Sequence, residues 1–174
     1  MSSNQAPFYN SFELSIKLSY ILAYSFELSE TCHRIASISD PITNHTRKEI
    51  RKVINRCKAG INRTNLIFHR FVTPVDFIKL YDFTQDDFIA TQLAPYVLEV
   101  SIACHRLIQN IRELILLWNR TKTTNASIRV KARTTDNQCD KTLAAVKACS
   151  DFVHPYLPAS YTNPNGVYLW WCPV

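Results

Sequence analysis

The sequence predicts an all-α protein: a four-helix bundle with a small β element between the second and third helices. Three observations carry that expectation. Apolar residues recur at helical spacing in four separate segments. Helix-start and helix-stop residues punctuate those segments. Gly is scarce, with 2 in 174 residues, which disfavours Gly-rich phosphate loops, tight hairpins and the strained nucleophile turn of α/β hydrolases. Hydrophobic residues make up 47% and charged residues 20%, a globular composition. No repeat, low-complexity linker or boundary divides the chain. It reads as a single domain over residues 1–174 with flexible terminal segments.

The first helix is expected over Leu14 to Ala36, where Leu14, Leu18, Ile21, Leu22, Leu28, Cys32 and Ile35 form the stripe. Asp40-Pro41 stops it. Thr46-x-x-Glu49 has the form of a capping box. Behind it Ile50, Val53, Ile54, Cys57 and Ile61 share one face, and Arg47, Lys48, Arg51, Lys52 and Lys58 share the other. Gly60 stands where that helix is expected to end. From Leu66 to Phe83 the pattern alternates with period two and is rich in aromatics, which predicts short strands around Pro74.

The helical period returns from Ala94 to Trp118, through Val97, Val100, Cys104, Leu107, Ile108, Ile111 and Leu114. Trp118 continues that stripe and reads as core. Thr135-x-x-Gln138 has the form of a second capping box and opens the fourth helix, with Cys139, Leu143, Val146, Cys149 and Val153 on one face. Pro155 and Pro158 end it. The tail from Tyr161 is aromatic and broken by Pro.

Between the last two helices the sequence predicts a long cationic connection. Arg112, Arg120, Lys122, Arg129, Lys131 and Arg133 fall in one stretch whose single acid is Glu113. The formal charge is +6 and the pI about 9.1, so an acidic partner is electrostatically favoured. Lys and Arg neutralise phosphates and release counterions, which gives sequence-tolerant affinity. Asn119, Thr121, Thr123, Thr124, Asn125 and Ser127, interleaved with them, can donate to phosphate and to ribose hydroxyls. A solvated basic loop is the bland reading. Asp140, expected near a helix start, has dipole compensation as its plain role and a ribose contact as its functional one.

Other chemistry finds little support. There is no G-x-S-x-G, H-E-x-x-H or P-loop pattern, and the expectation is a protein that is not an enzyme and carries no cofactor. Cys32-His33 and Cys104-His105 invite a metal reading, but adjacent helical residues point about 100° apart. A buried Cys beside a solvent-facing His is the expectation, with no metal. The start, MSSNQAPFYN, lacks the basic and apolar regions of a signal peptide. No apolar run approaches the ~18–20 residues of a membrane span, so no membrane association is expected.

Several strings, in order, resemble the coat proteins of rod-shaped plant RNA viruses of the tobamovirus and furovirus type. Leu28 to Ala36 (LSETCHRIA) is similar to that family's Leu-x-x-x-Cys-x-x-Ala segment. Asp76 to Tyr81 (DFIKLY) is similar to its Asp-Phe-Lys-x-Tyr stretch, and Asn119 to Thr124 (NRTKTT) to an Asn-Arg-Ala-Lys run. Gln138 to Ala144 (QCDKTLA) resembles the opening of its fourth helix, and the tail around Gly166 and Trp170 its terminal Gly-x-x-Trp pattern. The resemblance implies a structural capsid subunit that stacks with identical copies into a helical rod around single-stranded RNA. It would reside in the virion, and in host cytoplasm during assembly.

The resemblance also implies roles for particular residues. Arg120, Lys122, Arg129, Lys131 and Arg133 would lie on phosphates, with Arg112 at the RNA groove. Asp140 matches the family's Asp at the fourth helix, and Leu143 would touch base faces. This chain departs from the pattern in being basic, and Leu93-Ala94-Pro95 stands where tobamoviruses carry an acid before the Pro. The alternative is a secreted cytokine- or inhibitor-like bundle that binds a protein. It would use the sequons at Asn44, Asn62, Asn119 and Asn125 for glycans and pair its six Cys as disulfides.

Overall fold

The computed structural model describes residues 6–39, 41–70, 87–120 and 126–156, with side chains for 14–39, 41–66, 92–120 and 126–155. Four helices account for nearly all of them: α1 (Ala6–Ser37), α2 (Asn44–Arg70), α3 (Asp87–Arg120) and α4 (Ala126–Val153). A single 3-10 turn, His154–Tyr156, follows α4. Each helix packs on two others, α1 and α3 both lying between α2 and α4. The fold is therefore an all-α four-helix bundle.

Side-chain contacts give the helix directions. Arg56 and Cys57 of α2 meet Glu27 of α1, while Arg47 at the start of α2 meets Trp118 near the end of α3. Lys131 of α4 reaches Asn110 and Glu113 of α3, and further along α4 Gln138 and Thr142 donate to the Ala103 carbonyl. Arg129 reaches Ile38, and Asp136 reaches Ser29 and His33. Every adjacent pair is antiparallel, an up-down-up-down bundle. The α1–α2 and α3–α4 connections sit at the same end.

The core is the set of stripes read from the sequence. Leu14, Leu18, Ile21, Leu28 and Ile35 of α1 are fully buried against Ile50, Ile54 and Ile61 of α2 and Leu107, Ile111 and Leu114 of α3. Burying each such side chain contributes about 1.5–3 kcal/mol. Trp118 is core, as its place on the stripe predicts, with 1% of its surface exposed.

The helices α1 and α3 begin earlier than expected, at Ala6 and Asp87, and four further differences from the sequence reading bear on packing and function. First, α2 begins at Asn44 because Thr43 caps it: the Thr46 amide donates to Thr43 Oγ1 at 3.1 Å. Glu49 is not used in a capping box and instead pairs with His45. Second, Gly60 lies inside α2 rather than at its end. The Tyr24 ring of α1 occupies the space a Cβ would need, 2.2 Å from the ideal Cβ position, so Gly60 serves close helix packing. Third, α2 runs to Arg70, so residues 66–70 of the expected β element are helical. The rest of that element, 71–83, lies outside the described residues.

The fourth difference matters most for function. The expected long connection is mostly helix: α3 extends through Arg120 and α4 starts at Ala126. Ile128, Ala132, Thr135 and Cys139 are all buried at helical spacing, so the apolar stripe begins about two turns before the expected cap. Thr135 is a mid-helix residue whose hydroxyl donates to the Lys131 carbonyl. Asp140 likewise stands in mid-helix, not at a helix start. Pro95 is also interior to α3, on its exposed side.

The Gly60 contact yields a stability prediction. Gly to Ala in a helix interior normally stabilises by ~1 kcal/mol. Here the Cβ must displace Tyr24, and Gly60→Ala is expected to cost about 1–2 kcal/mol net. In a Tyr24→Ala background the same change should turn stabilising. Urea unfolding of the two single variants and the double variant measures this; equal effects in both backgrounds would contradict it.

Candidate nucleic-acid interface

The end of the bundle where α1 and α3 finish and α2 and α4 begin is rich in cations. Arg34 lies in the last turn of α1 and Arg120 in the last turn of α3. There a positive charge complements the helix dipole. The starts of α2 and α4 are different. Neither has an acid in its first turn, and both carry cations close behind, Arg47 and Lys48 in α2 and Arg129 in α4. Positive side chains at a positive helix terminus repel it. The arrangement leaves an electrostatic deficit that an anion relieves.

Two of these cations also have structural duties. Arg47 Nη2 donates to the Trp118 carbonyl at 2.7 Å, and Trp118 Nε1 donates to the Arg47 carbonyl at 3.3 Å. The guanidinium lies over the indole, 4.9 Å from its centroid, a cation–π contact that ties α2 to α3. Arg129 is half-buried and donates to the Ile38 carbonyl at 3.4 Å, while its buried Nε has no hydrogen-bond partner.

The sequence-predicted residues are placed as follows. Arg112, Arg120 and Arg133 are exposed, and none of them is in an ion pair among the described residues. Lys122 lies outside the described residues. Lys131 is largely covered and is engaged by Glu113 and by Asn110 Oδ1. Its ammonium is already neutralised on the α3 side of α4. Asp140 is exposed on α4. Leu143 is half-buried and lines a shallow cleft of about 340 Å³ between α1 and α4, with Leu22, Phe26, Ala144 and Lys147.

These residues therefore do not converge on one groove. Arg129 turns toward α1, as its contact shows, and Lys131 toward α3. On α3, Glu113 reaches α4, and Arg112 stands about 100° round the helix from it, on the flank away from α4. What unites Arg120, Arg129 and Arg133 is the bundle end. Sequence reading missed the Ser29–Asp136–His33 contact between α1 and α4 and the Arg47–Trp118 pin. Both join residues more than 70 positions apart, and no local pattern signals them.

The described thiols are inert by environment. Cys32, Cys57, Cys104, Cys139 and Cys149 are free and buried, with exposed His33 and His105 beside two of them. Burial pushes Cys57 up to about 11 and Cys32, Cys104 and Cys149 up to about 12, and raises Cys139 further. Thiolate is the reactive form. Among the described residues no group of three His, Cys, Asp or Glu is arranged to hold a metal ion. Among the described helices none is long and apolar enough to cross a membrane. No family model, curated protein or solved structure matches the chain.

The thiols set an alkaline limit. Their folded-state values lie above the ordinary 9.0, so the unfolded chain loses these protons first. Their contribution to stability is complete below about pH 9 and is lost as pH rises toward 12. The urea midpoint should fall over that window, and fall less in Cys149→Ala. An equal fall in both proteins would remove the thiols as the cause.

Proposed function

We propose that this chain is a structural coat subunit that self-assembles and packages single-stranded RNA, holding the sugar-phosphate chain without reading its sequence. The observation that carries the reading is the bundle end just described. Arg34, Lys48, Arg120 and Arg133, one from each helix, lie toward that end beside two helix starts without acids in their first turns. Lys122 belongs to the connection between them. A polyanion offsets the repulsion between these cations and the helix starts, and phosphates favour helix N-termini for the same reason.

The physical logic is repetition. Each subunit neutralises a few phosphates weakly, and contacts between identical neighbours make coating cooperative. The sequence resemblance to rod-shaped virus coats supports the same reading, and so does the all-helical bundle. The resemblance places Arg129 and Lys131 on phosphates. Their hydrogen bonds to Ile38, Asn110 and Glu113 give them a second role, holding α4 against α1 and α3. The free, buried thiols support an unbridged coat subunit over a disulfide-bonded secreted bundle.

RNA binding should be steeply salt-dependent, with log affinity falling about 0.7 per log unit of salt for each phosphate contacted on a single strand. Changing Arg120, Lys122 and Arg133 together to Ser should abolish RNA-containing particles in negative-stain images while RNA-free assembly persists. A salt-independent affinity, or unchanged RNA packaging by that variant, would refute the proposal.

A further inference from the structure

The bundle end leaves one strongly charged surface unused, the outward face of α2. Ile50, Ile54, Cys57 and Ile61 face the core. Opposite them Lys48, Lys52, Asn55, Asn62 and Arg63 are exposed, with Arg51 and Lys58 on one flank. From Lys48 to Arg63 the face runs about 22 Å at 1.5 Å per residue. The nearby acids are already committed: Glu27 to Arg56 and Glu49 to His45. No ion pair among the described residues involves Lys48, Arg51, Lys52, Lys58 or Arg63.

The neighbouring flank of α3 continues this surface. The Arg47–Trp118 contact sets the register of α2 against α3. Six residues back from Trp118 stands Arg112, and six residues on from Arg47 stands Val53. The helices are antiparallel, so Arg112 lies level with the stretch between Arg51 and Lys58. Glu99 and Glu113, the acids of α3 with described side chains, both lie on its α4 side by helical phase. Lys48, in the first turns of α2, joins this strip to the bundle end.

We infer that the α2–α3 face is a second contact surface for the phosphate backbone of single-stranded RNA, continuous with the bundle end through Lys48. The identity of the anion rests on the proposed RNA-coating function; the surface itself is additional to it. Several observations favour RNA as the occupant. The strip pairs cations with amide donors, Asn55 and Asn62, which suit phosphate oxygens and ribose hydroxyls. Like charges at Lys48/Lys52 and Lys52/Arg56, four residues apart, repel along the helix. A phosphate chain laid over them removes that repulsion. A lipid surface suits the strip poorly, because among the described residues Leu66 is the one large apolar side chain exposed on α2. A second copy that presented α4 suits it poorly too, since the exposed acids Asp140 and Asp151 of α4 are interspersed with Arg133, Lys141 and Lys147 and Asp136 is engaged by Ser29 and His33.

The test uses the full chain with Arg51, Lys52 and Lys58 changed to Gln. These side chains leave the core untouched, and circular dichroism checks that the helices are retained. Fluorescence anisotropy with an unstructured oligouridylate reads affinity against salt. Three lost contacts should make the log–log slope shallower by about 2 and weaken binding about 100-fold at 0.1 M salt. Arg112→Gln should show about a third of that slope change, which keeps the inference testable if the triple variant fails to fold. Unchanged slope and affinity in these variants would overturn the inference. So would a loss confined to binding of phosphatidylserine vesicles, or a loss of RNA-free assembly with RNA affinity intact. If the Arg120, Lys122 and Arg133 variant loses RNA packaging while these variants bind normally, the second surface fails and the coat function stands. If the wild-type chain shows no salt-dependent RNA affinity, the function itself fails.

Discussion

The register between α2 and α3 is the constraint on which the arrangement of charge depends. It is held by one reciprocal contact, in which Arg47 and Trp118 each donate to the other's backbone carbonyl while the guanidinium covers the indole. Both groups lose water in making it, and both regain hydrogen bonds, so the burial of a cation beside the core is compensated. A slip of one turn in either direction would break both bonds. It would also carry Arg112 and Arg120 of α3 past the cations of α2. The same contact thus packs the core and aligns the charges.

Most of the fold was legible from periodicity. Most of the buried apolar residues of α1, α2 and α3 are those of the predicted stripes, with Val53 and Ile115 only half-buried and Leu93 buried outside them, because a bundle core imposes a helical period on every member. What misled the reading was local punctuation. Gly60 looks like a stop, yet the reason for a Gly is the Tyr24 ring of another helix. Thr135-x-x-Gln138 looks like a start, yet Thr135 and Gln138 are buried mid-helix donors. Ile128 and Ala132 already carried the stripe further back, and the density of cations around them hid it. Thr43, the actual cap of α2, is three residues before the pattern that resembled one.

The candidate site was legible as composition and not as geometry. The clustering of Arg112, Arg120, Arg129, Lys131 and Arg133 along the chain suggested one loop, but helical phase distributes them over different sides. Lys131 turns inward to Glu113, Arg129 toward Ile38, and Arg112 toward the side of α2. Nearness in sequence is a poor guide to nearness of side chains once the segment is helical, since consecutive residues point about 100° apart. The basic face of α2 is the converse case. It is plain in the sequence as a face, but its relation to Arg112 emerges only from the antiparallel register.

The alternating helix directions have an electrical consequence. Adjacent peptide dipoles point opposite ways, so their long-range fields largely cancel. Among the described residues, the fixed asymmetry of charge then comes from side chains, including the cations Arg34, Lys48, Arg120 and Arg129 where α1 and α3 finish and α2 and α4 begin. Approaching a polyelectrolyte, such a molecule experiences a torque before it touches anything, and it turns that extremity forward. Orientation toward a polyanion is thereby selected during diffusion.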